Sequence, residues 1–258
     1  MHLNLHTHTP RCNHANGTER EYIERAIQAG FHTLGFSDHA PMPFEGDYYS
    51  NFRMKLDQTE DYVNTLLALR EEYKNDIRLL IGFEAEYYPA VFGRLIDFII
   101  PYPVDYLILG QHFLLNEQNA PYSGAETQDE NLLRLYVDQT CEAMRTDRYT
   151  YFAHPDLIRY TGDEEIYRRH ILRLCETAKE MDVPLEINLL GVWNNRHYPD
   201  ERFFRIAAEV GNKVVFGVDA HQPERIGEAD VLARAQEFAA RCGVTPTEDI
   251  VIRSPFRR

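Results

Sequence analysis

No stretch of this sequence is apolar for long enough to span a bilayer, so a membrane-spanning helix is not expected. Basic residues are outnumbered by acidic ones, 27 to 41, for a net charge of −14. A surface that acidic repels phosphate backbones, which argues against DNA or RNA as a general partner. It leaves room for a small anionic substrate, because bound metal ions reverse a local field. Cysteine is sparse: Cys12, Cys141, Cys175 and Cys242 are scattered and form no C-x-x-C pair. They read as reduced thiols of a cytoplasmic protein. Low-complexity tracts, composition shifts and internal repeats are missing too, so one domain over residues 1–258 is expected. No signal segment is read at the start, where Met1-His2-Leu3-Asn4-Leu5-His6 enters an alternating pattern at once.

What is present is a β-then-α rhythm. Candidate strands fall at residues 3–6, 33–37, 77–84, 105–109, 149–153, 185–188 and 214–218. Between them apolar residues recur at helical spacing. Thr18-Glu19-Arg20-Glu21 fits a capping box that opens a helix through Tyr22, Ile23, Ala26 and Ile27, and Gly30 ends it. Further helices are expected at about 57–73, 128–146, 163–181, 199–209 and 226–242. Strands joined by helices form a parallel sheet, because parallel neighbours need crossover connections. A closed or nearly closed barrel is expected, with a doubly wound open sheet as the alternative. The connections at 38–56 and 113–127 carry Pro, Gly, Asn and Tyr and are expected to wall or cover a pocket.

The 11 histidines are informative because of where they fall. His6-Thr7-His8 follows the first strand and Asp38-His39 the second. Glu84 ends the third, His112 follows the fourth, His154-Pro155-Asp156 the fifth, and Asp219-Ala220-His221 the seventh. In a parallel barrel these ends meet on one face, where barrel enzymes place their sites. Side chains at i and i+2 share a side of a strand, so His6 with His8, and Asp219 with His221, can reach one ion. Burying so many imidazoles and carboxylates with no metal would be costly. His2, His32 and His170 lack this placement and read as structural or surface residues.

These elements resemble the PHP (polymerase and histidinol phosphatase) family over nearly the whole chain. The matching residues are His6-Thr7-His8, His14, Asp38-His39, Gly82-Phe83-Glu84, His112, His154-Pro155-Asp156, Glu186-Ile187-Asn188 and Asp219-Ala220-His221. Ser37-Asp38-His39-Ala40-Pro41, Glu84-Ala85-Glu86-Tyr87 and His154-Pro155-Asp156-Leu157 are similar to the stand-alone histidinol-phosphate phosphatases. One departure is Gly110-Gln111-His112, where that likeness calls for Ser-Val-His. The resemblance implies a distorted (βα)7 TIM-like barrel with three divalent metal ions, Mn, Fe or Zn. It implies His6, His8, Glu84 and Asp219 around the first ion. Glu84, His112 and His154 would hold the second, with Glu84 bridging, and His14, His39 and His221 the third. His14 enters by resemblance alone, because it lies in a loop.

Two ions sharing a carboxylate can ionise a water held between them, giving a nucleophile for phosphorus. The expected activity is hydrolysis of a phosphomonoester, L-histidinol phosphate by the subfamily likeness. The alternatives are another small phosphate (nucleotide, sugar phosphate or phosphotyrosine), a non-catalytic metal-binding module, and amide or ring hydrolysis. Asp219 and His197 are candidate proton donors to the leaving oxygen, beside a metal-bound water. Arg159 and Arg196 are candidate phosphate binders, because a guanidinium fork matches phosphate oxygens; Arg11 reads rather as a surface residue. Asn188 ends the strand without a metal ligand and faces either substrate or a backbone partner in its loop. Glu117, Asp156, Phe113 and Trp193 are candidates to line a pocket for an ammonium and an imidazole, though Phe113 and Trp193 fit core or lid packing equally well.

Overall fold

The computed structural model describes residues 1–256. Strands β1 (Leu3–Asn4), β2 (Thr33–His39), β3 (Arg78–Ala85) and β4 (Tyr106–Leu109) form one parallel sheet in chain order. Strands β5 (Leu185–Asn188) and β6 (Val214–Gly217) form a parallel pair. The expected fifth strand, 149–153, joins the two. Phe152 bridges Leu109 on one side and Leu185 on the other. Its neighbours bond alternately, Ala153 N to Leu109 O at 2.8 Å and Glu186 N to Phe152 O at 2.9 Å. A parallel bridge between Thr7 and Ala220 closes the ring. That bridge excludes the open-sheet alternative and makes the molecule a distorted seven-stranded TIM-like barrel in a single domain.

Strand period 2 divides the core. Leu5, Leu80, Tyr106, Ile108, Tyr151, Ala153 and Val215 fill the barrel interior. Leu79, Ile81, Phe83, Leu107 and Leu109 face outward, into the larger cluster shared with the helices. These are α1 (Glu19–Gln28), α2 (Thr59–Glu72), α3 (Phe92–Ile99), α4 (Glu130–Arg145), α5 (Glu164–Glu180), α6 (Leu189–Asn194), α7 (Glu201–Val210) and α8 (Ala229–Cys242). Thr18 and Glu21 form the expected capping box at α1.

Two helices were not legible in advance. α3 is a short run of mostly apolar residues between Pro89 and Pro101, and so short an apolar run does not distinguish helix from strand. α6 starts directly after β5, where a loop was expected; Asn188 accepts from Gly191 N and caps it. The first strand is also shorter than expected. Asn4 Oδ1 accepts from the amides of His6 and Val218, which ends the ladder at Asn4. Leu5 then points into the barrel interior and His6 into the site above it. All four cysteines are free and buried. Among the described residues no helix is long and apolar enough to cross a membrane.

Candidate metal centre

The strand ends converge as one face of the barrel. Register places His39 beside Glu84 on the neighbouring strand, and Glu84 beside Ile108. Gly110 leaves room for Glu84: a Cβ there would stand 2.0 Å from Glu84 Oε1. Glu84 is 1% exposed and lies among five imidazoles. Its Oε2 is 3.5 Å from His6 Nε2, 3.6 Å from His8 Nε2 and 3.1 Å from His39 Nδ1. Its Oε1 is 2.8 Å from His154 Nε2 and 3.5 Å from His112 Nε2. Asp219 Oδ1 lies 3.2 Å from His8 Nε2 and 3.5 Å from His6 Nε2.

Glu84 Oε1 is bonded to His154 Nε2, but four other atoms that face each other here have no hydrogen-bond partner among the described residues. His6 Nε2, His8 Nε2, Glu84 Oε2 and Asp219 Oδ1 are all buried and unpaired. Unpaired buried polar atoms are costly, and four gathered this closely could together hold a metal ion. Further groups of metal-binding atoms lie within 4.8 Å of one another: His6, Glu84 and His154; His8, His39 and Glu84; His14, His39 and His221. In the last group His14 Nε2 and His221 Nε2 approach to 3.0 Å. The buried cluster is thus built for more than one ion.

Electrostatics agrees. Burial pushes the Glu84 carboxyl up, but His112, His39 and His6 outweigh it and hold it well below the usual range. Burial likewise pushes Asp219 up, and His6, His8 and His221 hold it well below. Burial pushes the His6 imidazole down, yet Glu186, Asp219 and Glu84 raise it to about 10. The carboxylates therefore demand positive charge at this spot. Burial and the neighbouring His8 push His221 down to about 3, leaving it the neutral imidazole that binds metals.

Behind the imidazoles stand carboxylates that spacing did not single out. Glu186 Oε1 is 2.8 Å from His6 Nδ1, and its Oε2 accepts from the His154 amide. Glu86 Oε1 is 2.8 Å from His112 Nδ1. Asp38 Oδ1 is 3.4 Å from His8 Nδ1, with Thr9 bonded to its other oxygen. A carboxylate behind a ligating imidazole fixes its tautomer and ring orientation. The sequence showed them only as members of the motifs Asp38-His39, Glu84-Ala85-Glu86-Tyr87 and Glu186-Ile187-Asn188, with no role attached.

A cavity of about 400 Å³ opens over the cluster. His14, His39, Glu84, His112, His154, Asp219 and His221 line its floor; Phe52, Phe113, Tyr122, Leu190, Arg196 and Tyr198 form its walls. The two long connections thus wall it, through Phe52 from one and Phe113 and Tyr122 from the other. Arg196 donates to Tyr198 Oη at 2.6 Å beside the cavity. The other named residues are placed elsewhere. Arg159 is half-exposed and paired with Glu126 at 2.8 Å, and Arg11 pairs with Glu19 and Asp61. Glu117 is buried against Arg53 and Tyr88. Trp193 packs under Arg225, 3.4 Å from its ring centre. His197 Nε2 bonds Leu157 O at 2.8 Å. Asp156 accepts from the Asp200 amide at 2.6 Å, and burial pushes its carboxyl up to about 8. Asn188 Nδ2 donates to Glu186 Oε2 and to Asp219 Oδ2, at 3.0 and 3.1 Å, so it braces the cluster from below. His2 and His32 stack on each other, and His170 bonds Glu130.

Known proteins resemble this chain in sequence and in fold. The chain is 32% identical over 245 residues to a Deinococcus radiodurans protein named probable histidinol-phosphatase, covering 92% of this chain and 93% of that one. It is 24% identical over 269 residues to the histidinol-phosphatase of Bacillus subtilis, covering 92% and 98%. The fold matches a crystal structure of histidinol phosphate phosphatase from Lactococcus lactis, complexed with zinc, L-histidinol and phosphate. There the TM-score is 0.72 at 19% identity, over 95% of this chain and 94% of that one. The family model for the PHP domain matches residues 4–189, a span that starts in β1, runs through Glu84 and His154 and ends just past β5. With most of its length inside that model, and with 32% identity to a relative matched over nearly its whole length, this chain belongs to the PHP domain family.

Proposed function

We propose that this protein is a metal-dependent phosphomonoesterase whose substrate is L-histidinol phosphate. The observation that carries the reading is the set of four buried, unpaired atoms of His6, His8, Glu84 and Asp219, of which Glu84 and Asp219 line a cavity that has Arg196 in its wall. In this reading His6, His8, Glu84 and Asp219 hold one ion. Glu84, His112 and His154 hold a second, and His14, His39 and His221 a third. Imidazole and carboxylate donors suit Mn, Fe or Zn. Ions bound there would supply the positive charge that neutralises phosphate oxygens and the means of ionising water near neutral pH.

The chain's own residues supply the rest. Arg196 presents a guanidinium to phosphate oxygens, and its bond to Tyr198 holds it at the wall. Arg159 leaves Glu126 to join it only if its loop shifts, so Arg196 is the first phosphate ligand in this scheme. Phe52 and Phe113 stack 5.8 Å apart and offer a flat apolar wall for the imidazole of the alcohol part. Asn188 steadies Asp219, an ionised carboxylate facing the cavity that would accept the proton of the attacking water and pass it to the leaving oxygen; His197, turned to Leu157 O, stands outside that path. The names of the relatives support the choice of alcohol. The test is a kcat/KM comparison with the protein loaded with Mn, Fe or Zn. Histidinol phosphate should exceed nucleotide, sugar and tyrosine phosphates by at least ~100-fold, the scale of discrimination by a polar site. Faster turnover of any other member of that panel overturns the substrate.

A further inference from the structure

We infer that Arg53 is a positioning residue for the metal centre, a buried guanidinium that fixes His112 through Glu86. This rests on the metal-centre reading above. Arg53 is 1% exposed, and a guanidinium so deep needs full pairing. Its Nη2 donates to Glu86 Oε2 at 3.1 Å and to Glu117 Oε1; Nε reaches Glu117 Oε2 at 3.4 Å. Its Nη1 donates to Ala40 O at 2.6 Å, one residue beyond His39. One planar fork thus holds two carboxylates and the backbone at the end of β2.

The second oxygen of Glu86 is what turns this anchor toward the site. Glu86 Oε1 faces His112 Nδ1 at 2.8 Å, so the ring proton sits on Nδ1 and the lone pair on Nε2. His112 Nε2 then faces Glu84 Oε1 at 3.5 Å. Glu84 and Glu86 point to one side of the chain and hold the His112 ring between them. Pinned at Oε2 by Arg53, Glu86 is not free to swing away from the imidazole. The other two carboxylates behind histidines lack such a pin. Glu186 is held by Asn188 and the His154 amide, and Asp38 by Thr9 and the His39 amide. The same guanidinium lies 4.5 Å from the ring of Phe52, which is edge-on to His39 at 5.3 Å and to His112 at 6.1 Å. Arg53 therefore also seats the connection that walls the cavity.

A lysine keeps the charge but has no fork, so it cannot hold Glu86, Glu117 and Ala40 together. The test loads the full chain with zinc and measures ion content, affinity against a competing chelator, and thermal unfolding. The variants are Arg53→Lys, Glu86→Gln and their combination. Both single variants should stay folded and bind one of the ions ~10–100-fold more weakly, the usual effect of losing a group behind a metal ligand. The combined variant should be no weaker than Glu86→Gln alone, because Arg53 acts through Glu86. Should Arg53→Lys fail to fold, Arg53→Gln, which keeps a planar amide donor for Glu86, takes its place with the same expected ordering. A folded Arg53 variant with wild-type affinity for every ion overturns the inference, as does a combined loss equal to the product of the single losses. If the wild-type chain itself binds no zinc, manganese or iron, the metal-centre reading falls and this inference with it.

Discussion

Two residues of the cluster hold their backbone in the left-handed region: His154 at φ 33° and Asp219 at φ 53°. Side chains with a Cβ avoid it, and each such residue costs of order 1 kcal/mol. Both follow a strand, and the turn redirects the chain so that the side chain faces Glu84 or His8. Glycine makes the opposite provision, removing atoms where a carboxylate must pass. A Cβ on Gly217 would lie 1.6 Å from Glu186 Oε1. Gly217→Ala should therefore displace Glu186 from His6, His154 and Asn188 together. We expect it to lower stability by about 1–3 kcal/mol, as overpacking does, and to weaken metal binding. Chemical denaturation and metal titration of the variant check both. A variant with wild-type values in both would show that Glu186 is not confined as described.

At the scale of the element, the site is attached where strands end and helices begin. Asn188 is both the last residue of β5 and the cap of α6, and its amide also braces Asp219. Asp163 caps α5 in the same manner, accepting from Glu165 N and Ile166 N, but touches no member of the cluster. Replacing either by Ala removes one cap, worth about 1 kcal/mol. Only Asn188→Ala should also depress kcat, because only there does the cap hold a site carboxylate. Equal activity of the two variants would reduce Asn188 to its capping role. Such double duty was not readable in advance. Asn188 was placed at the end of its strand by periodicity. Whether it bonds its loop, the substrate or Asp219 depends on a residue 31 positions away.

At the scale of the whole molecule, histidines and carboxylates from residue 6 to residue 221 gather in one cluster, so ions bound there would tie the barrel's first and last strands. Any ion that binds the folded chain and not the unfolded one stabilises it by mass action, about 2.7 kcal/mol at a hundred times its Kd. For a chain of this size each kcal/mol is worth roughly 2–4 °C in Tm. Zinc or manganese should therefore raise Tm by several degrees, and a chelator should reverse the shift. Scanning calorimetry with and without metal reads it directly. A Tm unmoved by any of Mn, Fe and Zn would argue that the cluster is not a metal centre.

The sequence by itself determined the alternation of strands and helices and the gathering of histidines at the strand ends; that the sheet closes was decided by the bridge between Thr7 and Ala220. Strand period, helix caps and parallel connection rules are local, and a ligand at a strand end needs no knowledge of its neighbours to be placed there. His14, in a loop, was reached by likeness to a family instead. What only the tertiary structure decided is which groups stand behind those ligands and which reach the cavity. Glu186 meets His6 across 180 positions of chain, Arg53 meets Glu86 across 33, and Arg196 faces the cavity while Arg159 turns to Glu126. Those outcomes rest on contacts between distant segments, where a shift of one side chain exchanges a partner, and no local pattern carries that information.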